Sequence, residues 1–207
     1  MQINPVASSI PQKCLGFLPV VIVHGIYRDH RLMGRLAREF AQAGRRVLTP
    51  DLKPNNGSAG LQELAKQLGA YVDKNLGPDE QCDIIGHSMG GMVVRSYVQR
   101  QGGRRRVRRL VTLASPHQGT LLAWLLPGAG LRDLRPGSEF LRDLASDAES
   151  LDGVLVASYW TPFDLIIIPP RSSEMPVGRN RKVWLPHHRA YLERPRLARE
   201  LVSLLAD

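Results

Sequence analysis

Cysteine and long apolar runs are scarce in this chain, and each scarcity argues against a class of protein. Only two cysteines occur among the 207 residues, Cys14 and Cys82. Neither has a C-x-x-C partner, so we expect neither a disulfide framework nor a structural zinc site. The apolar run at 15–23 is too short to cross a bilayer and is more typical of a buried strand, so we expect no stable membrane insertion.

Targeting signals are also missing from the sequence. The first fourteen residues carry no basic segment ahead of an apolar core, which is the pattern of a secretory signal peptide. A cytoplasmic location is therefore expected. The chain has no internal repeat or low-complexity segment. Its length and its hydrophobic fraction of 43% predict one domain over 1–207 with a sizeable core.

Positive charge is in excess, with a formal net charge of +9. Such a balance suits nucleic acid, an anionic membrane surface or an acidic substrate. The densest basic run, RRRVRR at 104–109, lies between a predicted helix and a predicted strand. Because no RNA-binding or DNA-binding motif accompanies it, we interpret the run as a solvated turn and expect no nucleic-acid partner. Steeply salt-dependent binding would indicate the alternative.

Short runs rich in β-branched residues alternate with helical patterns along the chain. Strands are predicted at 19–23, 45–51, 82–86, 107–115, 154–160 and 182–186. Helices are predicted at 30–44, 60–77 and 92–101, and a last helix is predicted to begin near Pro195. This alternation is typical of an α/β fold, with a mainly parallel sheet of about six strands and helices on both faces. Ligands in such folds bind at the carboxyl ends of the strands.

One serine stands in a glycine-rich turn at such a strand end. The segment Gly86-His87-Ser88-Met89-Gly90 has the pattern G-x-S-x-G between a predicted strand and a predicted helix. A tight turn there lifts the Ser88 hydroxyl out of the sheet, and glycine at positions 86 and 90 avoids side-chain clashes. The following helix directs its N-terminal amides at the same place. Ser88 is therefore the candidate nucleophile.

A serine nucleophile needs a base, and the base needs a carboxylate that orients it. In this architecture the chain order is serine, then the acid, then histidine, each just past a strand. Asp164 follows the strand at 154–160, and His187 and His188 follow the strand at 182–186. We expect Asp164 to be the acid and one of the two histidines to be the base. Three other acidic residues precede the strand and so lie at its wrong end: Asp147, Glu149 and Asp152.

The oxyanion of the tetrahedral intermediate needs two hydrogen-bond donors. One is expected to be the backbone amide after the nucleophile, at Met89, and the other to come from the loop after the first strand. In that loop Gly25 allows the backbone to approach the serine closely, and the amide of Ile26 is our candidate for the second donor. We expect His24 to fix the loop through hydrogen bonds, although it could be mistaken for the base.

The segment at 119–147 is too apolar to be a plain exposed loop. Two interpretations remain open for it. It is either a small cap that covers Ser88 and contacts a lipid or acyl chain, or a helix packed on the body of the domain. Leu122, Trp124 and Leu125 are the candidate substrate-binding residues of the cap. An apolar surface beside an ester-cleaving site favours apolar acyl groups, and the arginine-rich surface adds attraction to anionic lipid.

Several segments resemble the bacterial lipase and esterase branch of the α/β-hydrolase superfamily. VIVHGI resembles its oxyanion loop, DIIGHSMGGMVVRSY its nucleophile elbow, and RRLVTLASPHQGT the segment after the next strand. DLIIIPPRSS is similar to the stretch that starts with the catalytic aspartate, Asp164. In PHHRAYLERPRLARELV the resemblance places the catalytic histidine at His188, two residues before Ala190, whereas His187 occupies a place that is usually glycine. It also implies that His117 is structural.

The resemblance implies an α/β-hydrolase fold and a serine hydrolase that cleaves carboxylic esters through Ser88, Asp164 and His188, without a cofactor. Some members of the branch bind calcium near the histidine loop. We expect no metal here, because Glu174 and Glu193 stand isolated among arginines. The expected partner is a small acyl ester or a lipid, met by interfacial contact at most, and the oligomeric state stays open.

Other functions remain open at this stage. A thioesterase, an amidase and an acyltransferase would use the same three residues, because cleft shape sets the leaving group and the acceptor. A catalytically silent binding protein on the same fold is a further alternative. It would typically lack one member of the triad, and candidates for all three are present.

Overall fold

The structure of this chain is a computed structural model that describes residues 17–206. Six strands form one parallel sheet in the order β2-β1-β3-β4-β5-β6. The strands are β1 (Val20–Val23), β2 (Val47–Leu48), β3 (Cys82–His87), β4 (Val107–Leu113), β5 (Leu155–Trp160) and β6 (Arg179–Lys182). The α/β class and the six parallel strands are confirmed. Cys14 and the expectation about a signal peptide fall outside the described residues.

Seven α-helices accompany the sheet in the described part of the chain. They are α1 (Gly34–Gln42), α2 (Leu61–Asn75), α3 (Met89–Arg100), α4 (Ala129–Asp133), α5 (Glu139–Ser146), α6 (Ala190–Glu193) and α7 (Pro195–Leu204). The last helix begins at Pro195 as predicted, with proline in its first turn, where no amide partner is required.

The apolar core lies in two layers, one on each face of the sheet. Alternate residues of a strand point to opposite faces, so Val21 packs with α2, α3 and α5, whereas Ile22 packs with α1 and α7. Helices therefore cover both faces, as the alternating pattern predicts. Among residues 17–206 no helix is both long and apolar enough to cross a membrane.

The last strand differs from its predicted position. It spans Arg179–Lys182 instead of 182–186, and all four of its residues are exposed. β6 is the outer strand of the sheet and pairs with β5 from Ala157↔Arg179 to Trp160↔Lys182. An exposed edge strand carries no apolar pattern, so the apolar residues just after it, Val183 and Leu185, produced the wrong boundary.

Two other elements are shorter than predicted. The strand expected at 45–51 pairs only over Val47–Leu48. The helix expected at 30–44 consists of a 3₁₀ turn, His30–Met33, followed by α1. The carboxylate of Asp29 accepts a hydrogen bond from the amide of Arg31 and caps this turn.

The segment at 119–147 has two structurally different parts, and its role as a cap over Ser88 stays a prediction. Its helices α4 and α5 pack on the body: Asp133 accepts the amide of Leu61 at 2.8 Å, and Arg95 donates to the carbonyl of Leu144 at 2.7 Å. The 3₁₀ turn Leu121–Trp124 precedes them and leaves large apolar side chains exposed. The packed helices thus position a short apolar projection.

The basic run at 104–109 is a turn only in part. Arg104, Arg105 and Arg108 are exposed, whereas Arg109 lies in β4 with 6% of its surface exposed and faces the buried carboxylate of Asp83. The interpretation of the whole run as solvated is therefore wrong at Arg109. Because Arg109 is buried, the run does not present one continuous basic surface.

Candidate active site

Ser88 lies between β3 and α3 with φ 55° and ψ −128°. A positive φ is costly for any residue other than glycine and persists only where the surrounding structure enforces it. A Cβ atom at Gly86 would lie 2.5 Å from the Cα of Gly91, and one at Gly90 would lie 2.3 Å from the carbonyl oxygen of His24. The close approach expected at both glycines is thereby confirmed, and it fixes the sharp turn that carries Ser88.

His188 and Asp164 are in direct contact. The Nδ1 atom of His188 lies 2.8 Å from Oδ2 of Asp164, and both residues are largely buried. Since the aspartate accepts, Nδ1 carries the proton and Nε2 is left to accept another one. The other carboxylate oxygen, Oδ1, accepts the amides of Ile166 at 2.9 Å and Ile167 at 3.0 Å. This arrangement suits a carboxylate that orients a base.

The carboxyl of Asp164 is held in its charged form. Burial by itself raises the pKa of Asp164, but the hydrogen bond from His188 and the amides of Ile167 and Ile166 outweigh burial and lower it below its ordinary value. Asp164 is therefore ionised at neutral pH.

His87 links the serine turn to the His188 loop. Its Nε2 atom donates to the carbonyl oxygen of His188 at 3.1 Å, and the two imidazole rings lie 4.9 Å apart between centroids. Within the described residues no hydrogen bond joins the side chains of Ser88 and His188 directly. Such bonds are often long without substrate and tighten when it binds. The contact with His87 places the His188 loop against the residue that precedes Ser88.

His87 itself is neutral. Burial, together with the nearby His188, lowers the pKa of His87 to about 3. Its role was not foreseen from the sequence, because the second position of G-x-S-x-G, which His87 occupies, carries no periodic signal. A tight turn that places a histidine beneath the base is visible only in three dimensions.

The two neighbouring histidines have different surroundings. The side chain of His187 is 54% exposed and lies 3.5 Å from a carboxylate oxygen of Glu193. The side chain of His188 is 11% exposed and contacts Asp164. The geometry therefore favours His188 as the base.

The loop after β1 presses against the serine. A Cβ atom at Gly25 would lie 3.0 Å from the Cβ of Ser88, so a side chain there would crowd the serine turn. His24 holds the loop: its Nδ1 donates to the carbonyl of Gly25 at 3.0 Å and its Nε2 accepts the amide of Leu52 at 3.1 Å. His24 thus makes the hydrogen bonds expected of it and is not placed as a base.

Each of the two candidate oxyanion donors directly follows one of the two residues, Gly25 and Ser88, that approach each other here. Ile26 follows Gly25, and Met89 follows Ser88 at the first position of α3. Neither amide donates a hydrogen bond to another group of residues 17–206. Unpaired amides beside a nucleophile are what an oxyanion hole requires.

Several exposed apolar side chains, which together we call the apolar rim, lie in chain segments that adjoin the site residues in the sequence. Trp124 and Leu125 of the 3₁₀ segment are 58% and 74% exposed, and Leu165, next to Asp164, is 78% exposed. Leu122 is only half-buried. The rim consists of Tyr27, Leu121, Trp124, Leu125, Leu126, Phe163, Leu165, Ile166 and Trp184.

Hydrogen bonds join two parts of the apolar rim. The amide of Leu121 donates to the carbonyl of Ile168 at 2.8 Å, and the hydroxyl of Thr120 donates to the carbonyl of Ile166 at 2.8 Å. The sequence pattern indicates the apolar residues at 121–126 but not Tyr27, Phe163, Leu165, Ile166 and Trp184. Large apolar residues in segments adjoining Asp164, His188 and the oxyanion loop were the signal that could have indicated them.

The other polar clusters do not form a metal site. Throughout the described range no group of three or more His, Cys, Asp or Glu side chains is arranged to hold a metal ion. His117 is buried and its Nε2 lies 2.9 Å from the hydroxyl of Thr112, which donates to Ser158 at 3.0 Å. These contacts lie within the sheet and agree with a structural role for His117.

The parallel sheet, the strained serine after β3 and the Asp164–His188 pair define an α/β-hydrolase. The chain is similar to lipase BlEst2 of Bacillus licheniformis, with a TM-score of 0.73 and 16% identity over 98% of this chain and 96% of that one. The model of the palmitoyl protein thioesterase family matches residues 19–169. The chain therefore belongs to the palmitoyl protein thioesterase family.

Two curated relatives show how far the similarity extends. A monoacylglycerol lipase of Mycolicibacterium smegmatis is 30% identical over 153 residues, which are 68% of this chain and 53% of that protein. A probable oxidoreductase, EphD, of Mycobacterium tuberculosis is 26% identical over 162 residues, which are 73% of this chain and 25% of that protein. The chain thus spans from a quarter to about half of these relatives. The expected resemblance to lipases and esterases of this superfamily is confirmed.

Proposed function

We propose that this protein is a serine hydrolase that cleaves carboxylic esters with apolar acyl groups. The observation that carries the proposal is the buried contact between His188 and Asp164 beside the strained turn of Ser88. A catalytically silent fold would have no reason to retain this strain together with an oriented histidine. Membership of a thioesterase family and similarity to lipases support the same chemistry.

The reaction would proceed in two halves. His188 takes the hydroxyl proton of Ser88 on Nε2 while the Ser88 oxygen bonds to the acyl carbon. The amides of Ile26 and Met89 stabilise the oxyanion, which is worth about 3 kcal/mol per donor. His188 then gives the proton to the departing alkoxide. Water repeats these steps on the acyl-enzyme, and the acid is released with Ser88 restored.

Asp164 serves both halves by its position. Its charge stabilises the imidazolium form of His188 that each half creates, and its bond to Nδ1 keeps Nε2 towards the reacting oxygen. No step calls for a cofactor.

The apolar rim favours a substrate whose largest group is an acyl chain. Exposed apolar surface near a hydrolytic site lowers the free energy of a bound aliphatic chain by roughly 0.8 kcal/mol for each buried methylene. The guanidinium of Arg135 lies 4.5 Å from the Trp124 ring, and the ammonium of Lys182 lies 5.1 Å from the Trp184 ring. Such cations would favour contact with an anionic lipid surface.

A thioester is the second candidate substrate, because the family model that matches most of the chain is that of palmitoyl protein thioesterase. The same residues would act on it, with a thiolate in place of the alkoxide as leaving group. An amidase and an acyltransferase have no comparable support.

Hydrolysis of p-nitrophenyl esters from acetate to palmitate, with palmitoyl-CoA alongside, tests the proposal. We expect activity that rises with acyl length and falls by at least about a thousandfold in Ser88→Ala and in His188→Ala. His187→Ala is the matched control and should keep most of the activity. A folded wild-type protein without activity on any of these substrates would contradict the proposal, and a preference for palmitoyl-CoA would select the thioester.

A further inference from the structure

A cavity lies at the end of the sheet where the strands begin, opposite Ser88. It has a volume of about 690 Å³ and is bordered by the first residues of β5, by Gly178 ahead of β6 and by the end of α7. Ser88 follows the carboxyl end of β3, whereas these strands begin at the cavity. The cavity is therefore separate from the candidate active site, and its volume is within the range typical of small-molecule sites.

The walls of this cavity are mostly aliphatic. Val111, Val156 and Ala157 come from the sheet, Leu151 from the turn before β5, and Leu205 from the end of α7. Such a lining accepts an aliphatic chain and offers it no hydrogen bonds. An aliphatic ligand would gain free energy from each methylene that leaves water.

One buried cation also lines the cavity. The side chain of Arg109 is 7% exposed, and its Nη1 atom is buried without a hydrogen-bond partner. Its Nε atom lies 3.6 Å from Oδ1 of Asp83, a distance that allows an ion pair but not a hydrogen bond. A buried guanidinium group with so few acceptors is costly, and a carboxylate bound beside it would lower that cost.

The charge of Asp83 is shared between two arginines. Its Oδ2 atom lies 2.5 Å from a guanidinium nitrogen of Arg45, which also donates to the carbonyls of Leu18 and Leu205. One carboxylate thus faces two guanidinium groups, which leaves one positive charge in excess. Burial raises the pKa of Asp83 above its ordinary value, which further weakens its hold on Arg109.

The charged groups at the mouth of the cavity are mixed in sign. Arg179, Glu149 and Asp152 are all exposed there, so solvent screens them. The buried excess charge at Arg109 is screened far less, so it decides the sign of charge that the interior favours.

We propose that this cavity binds an aliphatic monocarboxylate, with the carboxylate on the guanidinium group of Arg109 and the chain against Val111, Ala157 and Leu205, which pack on one face of the sheet. The ligand class is a free fatty acid. It coincides with the acid that the proposed hydrolysis would release, but binding at this site does not depend on that activity. A product that binds away from Ser88 would leave the active site accessible.

The test uses protein whose Ser88 has first been blocked covalently by a long-chain phosphonate, so that the active site is occupied. Titration calorimetry then compares laurate with dodecanol, which has the same chain without the charge. We expect laurate to bind at least ten times more tightly than dodecanol. This preference should disappear in Arg109→Met and persist in Arg108→Met, which removes an exposed arginine from the neighbouring position.

A second variant fills the cavity without changing the ion group. Ala157→Phe should abolish binding of both ligands while hydrolysis by the unblocked enzyme and the circular dichroism spectrum stay unchanged. Equal affinities for laurate and dodecanol, or full laurate binding in either Arg109→Met or Ala157→Phe, would overturn the proposal. So would a dimer of the wild-type chain that Ala157→Phe dissociates, because the cavity would then hold a second copy. A protein inactive on esters that still binds laurate through Arg109 would overturn the proposed function alone.

Discussion

His188 and Asp164 are joined by a buried hydrogen bond of 2.8 Å between Nδ1 and Oδ2. The acceptor is fixed in turn by the amides of Ile166 and Ile167 on its other oxygen. One short loop after β5 therefore supplies both the orienting carboxylate and the two donors that keep it charged. This hydrogen bond leaves Nε2 as the ring nitrogen that acts on Ser88 in the proposed mechanism.

Asp164→Asn is expected to lower kcat by about 10³–10⁴ with little change in fold. An amide group at this place can donate to His188 and so stabilises the wrong tautomer. Steady-state hydrolysis of a p-nitrophenyl ester measures the effect. Asp152→Asn is the matched control, because Asp152 is exposed and precedes β5. Loss of activity in the control with retention in Asp164→Asn would show that the orienting carboxylate is misassigned.

His87→Gln is expected to reduce the acid sensitivity of the fold. His87 has a pKa of about 3 when buried and about 6.5 when unfolded, so the unfolded state binds one more proton between these values. Stability from the neutral histidine is fully present above pH 6.5 and is lost as the pH falls toward 3. Urea unfolding at pH 7 and pH 5 should show a loss about 2 kcal/mol larger in the wild type than in the variant. Equal losses would contradict the buried, neutral state of His87.

Gly25→Ala is expected to impair both stability and catalysis. The added methyl group would lie 3.0 Å from Ser88 Cβ and 3.2 Å from the carbonyl oxygen of His87, so the oxyanion loop has to move. A destabilisation of about 1–3 kcal/mol and a fall in kcat should follow. Gly34→Ala adds a methyl group with no atom within 4 Å and is the matched control. Thermal unfolding and ester hydrolysis of both variants decide whether the close approach is real.

Leu165→Asp and Leu125→Asp are expected to alter acyl-chain preference. Both side chains are more than 70% exposed, so the changes should shift stability by no more than about 0.5 kcal/mol. The ratio of kcat/KM for palmitate to that for acetate should fall, because only the long chain reaches the apolar rim. Phe17→Asp alters an exposed apolar residue ahead of β1 and should leave the ratio unchanged. An unchanged ratio in both rim variants would remove the rim from the substrate site.

The features that could be predicted from sequence are those that depend on local pattern. Ser88 could be assigned because G-x-S-x-G requires a strand before it and a helix after it, and both have clear periodicities. Asp164 and His188 could be placed because each follows a strand in the expected chain order. The resemblance to lipases separated His188 from His187, and the difference in burial agrees with it.

Features that depend on pairing in three dimensions could not be predicted from the sequence. β6 has no apolar alternation, because it lies at the sheet edge with both faces exposed, and only its pairing with β5 defines it. The Arg45–Asp83–Arg109 group joins residues from three segments of the chain. The basic run at 104–109 therefore gave no sign that Arg109 forms a buried ion pair. The apolar rim was found only in part, because its remaining members are single residues in separate loops.

In the proposed mechanism, Asp164 orients His188 and His188 activates Ser88. Labelling with a fluorophosphonate, followed by intact-mass measurement and peptide mapping, measures this activation. We expect one label on Ser88 in the wild type and in His187→Ala, and none in His188→Ala over the same time. Rapid labelling of Ser88 in His188→Ala, or its loss in His187→Ala, would contradict this mechanism.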